Sequence, residues 1–250
     1  MIIGFLGKGG SGKTSVATMF TEYLHQKEKS ILAIDNDHNM DFIYNLGVTD
    51  SMNYIGQALS EVYDHMGITS TLGTLTLEKD SFFSLSPKDV ITEKYSLEIK
   101  PKLSVMCSGP HTEEIMIGKQ CSHVLTTPLK AYLPFLEVKD NEWVVIDEKA
   151  GADGVGTGIT TGFHAAIVVI EPTPHGIKAG LQISKMLRFY NTPYAYVINK
   201  VRASTNIDEI VSQLDKEPVT YIPFSEVVLD MKFNNKLLTS FDSMYEFLSN

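Results

Sequence analysis

Short runs of apolar residues recur along the chain, separated by longer amphipathic or polar stretches. The first, at 2–6, is apolar at nearly every position, which predicts a strand covered on both faces rather than a half-exposed one. Similar runs stand at 30–34, 103–106, 143–146, 164–170 and 194–198, with a shorter one at 221–222 before Pro223. Between them the period lengthens. In 175–190, Ile177, Leu181, Ile183, Leu187 and Tyr190 fall on one helical stripe, and a helix is also predicted from 14 to about 25. Residues 51–65, 207–215 and 237–248 read as further helices. Buried strands alternating with helices define an α/β fold, a mostly parallel sheet with helices on both faces. No repeat, low-complexity tract or linker interrupts the 250 residues, so one domain over 1–250 is expected, with a divergent insertion at about 47–102. Within it, the polar stretch 69–102 carries no clear period and reads either as a partner-facing subdomain or as long connections.

Directly after the first strand comes Gly7-Lys8-Gly9-Gly10-Ser11-Gly12-Lys13-Thr14, a full match to G-x-x-x-x-G-K-S/T in its strand-to-helix context. The glycines let backbone N–H groups turn inward around phosphate oxygens, and the N-terminus of the following helix adds a favourable field. Lys13 is expected to reach the β- and γ-phosphates and Thr14 to hold Mg²⁺, with Gly7, Gly9, Gly10, Ser11, Gly12 and Ser15 along the phosphate path. The fold class thereby narrows to a P-loop NTPase. Spacing alone leaves Lys8 open, either a solvated lysine or a second phosphate ligand.

Acidic and polar residues follow other predicted strands. Asp35 and Asp37 stand just beyond 30–34, placed to face phosphate, to cap a helix or to meet solvent. Asp147 ends 143–146 and runs into Glu148-Lys149-Ala150-Gly151, an apolar strand ending in a carboxylate that suits Mg²⁺. Asn199-Lys200 ends 194–198, where the amide can both donate to and accept from a base.

Taken together, Lys8 to Thr14, Asp35-x-Asp37, Asp147 to Gly151 and Asn199-Lys200 resemble the deviant Walker A ATPases. That family includes partitioning and division-site ATPases, the nitrogenase iron protein and the nickel-insertion ATPases of carbon monoxide dehydrogenase maturation, and the likeness is nearest to the last. The resemblance implies that Lys8 contacts phosphates across a nucleotide-dependent homodimer, with ATP and Mg²⁺ held between two subunits. By the same match Asp37 orients the attacking water and Asp35 supports the magnesium shell and its loop. Gly151 lies near the γ-phosphate, Asn199 and Lys200 meet the base, and Pro223 helps to shape the nucleoside pocket. His38 stands where the family often has proline and reads as a local loop difference. The maturation branch has Asp-Thr-Glu-Ala-Gly where this chain has Asp-Glu-Lys-Ala-Gly.

Charge and cysteine content bear on role. Thirty acidic residues against twenty-one basic ones give a net charge of −9, which disfavours nucleic acid. The longest apolar run is far short of the roughly 20 residues of a membrane span, and the short apolar start at 2–6, which runs straight into the glycine loop, is not expected to be a signal peptide. Two cysteines fit a reducing compartment, and a cytoplasmic location is expected. Cys121-x-His123 stands about where the nickel-insertion branch has Cys-x-Cys. Two copies across a two-fold axis would offer a tetrahedral set for Zn²⁺ or Ni²⁺; a structural cysteine beside a surface histidine is the plainer reading. The expected function is a Mg²⁺-dependent ATPase switch serving metallocentre assembly, with a client metalloenzyme as partner. A partitioning or positioning ATPase and a slowly turning nucleotide-gated adaptor are the alternatives.

Overall fold

A computed structural model describes residues 1–68, 80–156, 158–229 and 235–249. Ten strands appear in chain order: β1 (Ile2–Gly7), β2 (Ser30–Asp35), β3 (Phe83–Ser84), β4 (Ser96–Lys100), β5 (Leu103–Cys107), β6 (Leu136–Glu137), β7 (Glu142–Asp147), β8 (Ala165–Ile170), β9 (Tyr194–Val201) and β10 (Thr220–Pro223). Eight of them form one sheet in the order β10-β9-β8-β1-β7-β2-β5-β4. All neighbours in it are parallel except β4, which runs antiparallel to β5 at the edge. Strands β3 and β6 pair separately. The fold is the expected α/β P-loop arrangement.

The fully apolar strands are the central ones. Every residue of β1, β7 and β8 is buried. Because side chains alternate across a sheet, consecutive residues serve different layers. Ile2, Leu6, Val144 and Ile146 pack into one core with Ile183 and Leu187 of the helix Pro174–Phe189. Ile3, Phe5, Val145 and Ile167 pack into the other, with Phe20 of α1 (Lys13–Gln26) and with Phe241 and Met244. The helix Pro174–Phe189 starts sharply because Thr173 accepts from the Gly176 N–H and Pro174 fills the first turn.

Several predicted bounds move. Strand β9 runs on to Val201, so Asn199 and Lys200 lie inside the strand rather than after it. The helix expected over 51–65 is a 3₁₀ turn at Ile55–Gln57 followed by an α-helix only from Leu59. Gly56 explains the interruption: a Cβ there would stand 2.0 Å from the Ser108 carbonyl oxygen, so the backbone is pressed against its neighbour. The helix expected over 237–248 is two short helices joined by a 3₁₀ turn at Thr239–Phe241. Part of the patternless stretch, 69–79, lies outside the described residues. The rest holds a helix, Val90–Tyr95, capped by Asp89, and the edge strand β4. β4 therefore extends the main sheet, ending in a turn where Lys102 takes a positive φ of 65°. Among the described residues no helix is long and apolar enough to cross a membrane.

Candidate nucleotide site

Parallel strands bring all their carboxyl ends to one edge. Gly7, Asp35, Asp147, Glu171, Asn199 and Pro223 are spread along that edge, and the chain order reverses at β1, between β8 and β7. The loop after β1 turns tightly on itself, with the Ser11 N–H donating to the Lys8 carbonyl at 3.0 Å. Gly10 and Gly12 have φ of 81° and 85°, values that favour glycine. α1 begins at Lys13, so the N–H groups of its first turn face the loop without helical partners.

Lys13 is almost buried, its side chain 8 % exposed, and lies over the acids. Its Nζ is 3.4 Å from Asp147 Oδ1 and 3.7 Å from Asp37 Oδ2. The Thr14 hydroxyl donates to Asp147 Oδ2 at 2.7 Å. Thus Lys13, Thr14, Asp37 and Asp147, four of the residues expected at the phosphate and metal end, lie together. Asp147 is fully buried, and burial raises its carboxyl to about 6 against the pull of Lys13 and Thr14. Lys8 has the opposite setting. It is exposed, and among the described residues its ammonium has no ion pair or hydrogen bond.

Asp35 stands beside Asp147 across the sheet, and its carboxylate is taken up by the loop. Its Oδ1 accepts from the Asp37 N–H, and its Oδ2 accepts from the N–H groups of Phe42 and Ile43 at 2.9 and 3.2 Å. Through those N–H groups it anchors the loop and the start of α2 (Asp41–Asn45). Burial and the neighbouring Asp147 push it up to about 8. Gly151, at φ 80°, donates its N–H to the Gly7 carbonyl at 2.8 Å, tying the two loops together.

Asn199 and Lys200 buttress the phosphate loop from behind. Asn199 Nδ2 donates to the Ser11 carbonyl at 2.9 Å, and Lys200 Nζ donates to the Gly10 carbonyl while pairing with Glu171 at 3.3 Å. One N–H and Oδ1 of Asn199 are left to meet a base. Beside Lys200 opens a cleft of about 580 Å³, within the range of small-molecule sites. Its walls include Glu171, Pro172, Lys200, Arg202, Asn206 and Glu209, but neither Asn199 nor Pro223. Pro223 instead precedes Phe224, whose ring carries the Arg202 guanidinium 3.8 Å above its centre.

Two further buried polar residues escaped sequence reading. Glu148 and Asn36 are both fully buried, and Asn36 Nδ2 donates to Glu148 Oε2 at 2.9 Å. Burial lifts Glu148 to about 8. Each is adjacent to a recognised acid, the one clue the sequence offers. The Cys121 thiol and His123 Nδ1 come within 2.8 Å of each other on the surface. They remain a pair, since no group of three or more metal-ligating side chains exists among the described residues. His38 Nδ1 lies 3.0 Å from the Gly109 carbonyl, as befits a loop contact.

A glycine loop between a central parallel strand and a helix, backed by a buried lysine, a hydroxyl and a strand-end carboxylate, defines a P-loop nucleotide-binding protein. More narrowly, the chain belongs to the CobQ/CobB/MinD/ParA nucleotide binding domain family, whose model matches residues 2–238. An uncharacterised ATP-binding protein of Methanocaldococcus jannaschii is 26% identical over 229 residues, 88% of this chain and 86% of that one. The carbon monoxide dehydrogenase accessory protein CooC of Rhodospirillum rubrum is 24% identical over 236 residues, 91% of this chain and 85% of CooC. Among solved structures, the septum site-determining protein MinD of Pyrococcus horikoshii, complexed with Mg-ADP, superposes with a TM-score of 0.71. That match covers 99% of this chain and 95% of MinD at 17% identity.

Proposed function

We propose that the protein is a Mg²⁺-dependent ATPase that works as a nucleotide-dependent homodimeric switch. The observation that carries this reading is the contrast between its two loop lysines. Lys13 is buried on Asp147 and Asp37, whereas Lys8 extends from the same loop into solvent with no partner among the described residues. A lysine held out over a phosphate site is positioned to reach the nucleotide of a facing copy.

The residues present suit magnesium. Thr14 Oγ1 and Asp147 Oδ2 are hard oxygens 2.7 Å apart, and Asp147 Oδ1 is buried without a hydrogen-bond donor. Bound there, the ion would neutralise charge on the β- and γ-phosphates. The chain's own part is mainly electrostatic. Backbone N–H groups of the loop and the first turn of α1 bind phosphate oxygens. Lys13 moves from the acids to the γ-phosphate, and Asp37, only partly exposed, orients the attacking water. Asp35 holds the turn that presents Asp37. The Gly151 N–H, now on the Gly7 carbonyl, is the contact that a γ-phosphate would compete for.

At the level of role we assign the chain to metallocentre assembly. The relation to CooC and the adjacency of Cys121 and His123 support this, with Zn²⁺ or Ni²⁺ completed across the dimer and a client metalloenzyme as partner. Sedimentation of wild type and Lys8→Ala with Mg²⁺ and a non-hydrolysable ATP analogue, with metal read by mass spectrometry, tests both levels. A wild-type dimer lost in the variant is expected, with about one transition metal per dimer. A monomer in every condition overturns the switch; a metal-free dimer overturns the assembly role and leaves a positioning ATPase or adaptor.

A further inference from the structure

Asn36 lies between Asp35 and Asp37, and the alternation of side chains along the turn sends it the other way. Asp37 faces Lys13, while Asn36 enters the protein and is held at three points. Its N–H donates to the Asp147 carbonyl at 2.9 Å, its Nδ2 donates to Glu148 Oε2 at 2.9 Å, and its Oδ1 accepts from the Thr126 hydroxyl at 3.4 Å. Glu148, Asn36 and Thr126 are all fully buried.

Glu148 is an expensive residue for such a place. A buried carboxyl is costly unless its oxygens are fully paired, and Glu148 Oε1 is buried with no hydrogen-bond partner. An apolar side chain would fill the space at less cost. What only a hydrogen-bonding residue can do here is hold the Asn36 amide, and so fix the turn that carries Asp37. The next residue, Lys149, reaches the Ser122 carbonyl at 3.4 Å, so the Lys149 contact and the chain from Glu148 through Asn36 both end on the turn Ser122–Thr126.

We propose that Glu148 is a positioning residue for hydrolysis, acting through Asn36 to hold the turn that presents Asp37, and that the Glu148–Asn36–Thr126 chain links the state of the site to the turn Ser122–Thr126. This rests on the role given above to Asp37. The side chains meet donor to acceptor, so the pair can be reversed. Asn36→Asp sets two carboxyls against each other; adding Glu148→Gln restores a donor and an acceptor with their order exchanged.

The experiment compares wild type, Asn36→Asp and the Asn36→Asp, Glu148→Gln double variant. It measures binding of a fluorescent ADP, steady-state ATP hydrolysis, and hydrogen exchange of peptides covering 122–126 with and without a non-hydrolysable ATP analogue. In Asn36→Asp, kcat should fall at least tenfold with ADP affinity within about threefold of wild type. Nucleotide-dependent protection at 122–126 should also be lost. The double variant should recover kcat to within about threefold and regain the protection. A kcat unchanged in Asn36→Asp overturns the proposal, as does an equal loss with no recovery in the double variant. Should wild type bind nucleotide without hydrolysing it, the ATPase reading fails by itself. Exchange then decides the link: protection in wild type that is lost and regained supports it, and protection that is absent or unaltered in all three proteins overturns it.

Discussion

Placing an alanine at Gly12 perturbs the phosphate loop in a way the structure resolves into two parts. Gly12 has a φ of 85°, and a non-glycine residue held there costs about 1–2 kcal/mol. Its new Cβ would also stand 2.3 Å from Asn199 Nδ2, forcing that amide off the Ser11 carbonyl it binds at 2.9 Å. Loss of that bond at a buried position costs about 1–3 kcal/mol more. Gly10 provides the control. Its φ of 81° is nearly the same, yet a Cβ there meets nothing within 4 Å. Gly10→Ala should therefore show the backbone cost alone. For a chain of this size about 1 kcal/mol corresponds to roughly 2–4 °C in Tm, so Gly12→Ala should melt about 6 °C below Gly10→Ala. Differential scanning fluorimetry without nucleotide makes the comparison. Asn199→Ala in the Gly12→Ala background removes the clash, so the double variant should lose less than the sum of the single losses. Equal melting of the two glycine variants, or strict additivity with Asn199→Ala, would refute the claim that Asn199 backs the loop.

Two other expectations follow from the same edge of the sheet. Burial raises Asp35 and Glu148 to about 8 and Asp147 to about 6, so near neutrality the folded chain binds protons that the unfolded chain has released. Stability in EDTA should therefore decline as pH rises from about 5 to about 9, and Mg²⁺ should raise Tm more at the alkaline end; a Tm that climbs with pH would contradict the assignment. One N–H of the Asn199 amide is committed to Ser11. Its second N–H and Oδ1 are left to pair with the acceptor and amino group on one edge of adenine, where guanine offers two acceptors. ATP should then displace a fluorescent ADP about tenfold better than GTP, and equal competition would remove Asn199 from base reading.

What the sequence makes legible depends on how locally the physics is written. The central strands are readable because burial on both faces demands an unbroken apolar run, and β1, β7 and β8 have one. The phosphate loop is readable because phosphate recognition by backbone N–H groups dictates glycine spacing within eight residues. β4 is missed because an edge strand needs only half its surface covered: Ser96, Leu97, Ile99 and Lys100 are half-buried and Glu98 is exposed. The behaviour of Asn199 is missed for another reason. It is 188 residues from Ser11 in sequence, and only the neighbouring of β9, β8 and β1 brings the two together. Asp35 shows a third limit. Its spacing from Asp37 suits facing phosphate, capping a helix or meeting solvent alike, and its Oδ2 is taken up by the N–H groups of Phe42 and Ile43, which α2 turns towards it.

The charge distribution at this edge bears on how the site must be completed. Asp35, Asp37, Asp147 and Glu148 gather within one network, and Lys13 is the lysine that the structure pairs with Asp37 and Asp147. A nucleoside triphosphate adds several more negative charges to the same place, and Lys13 cannot serve the acids and the γ-phosphate at once. Drawing it to the phosphate strips Asp147 of its counter-ion inside a buried pocket, where unpaired charge is most costly. A divalent cation on Thr14 and Asp147 replaces that lost partner, which is why nucleotide and Mg²⁺ should bind as a unit rather than in sequence. Even so, the outward side of the phosphates still lacks a cation from this chain's interior. Lys8 stands at that rim, exposed and unpaired among the described residues. On the proposed reading a second copy supplies the missing charge from its own Lys8, so that triphosphate binding and subunit pairing become one electrostatic event.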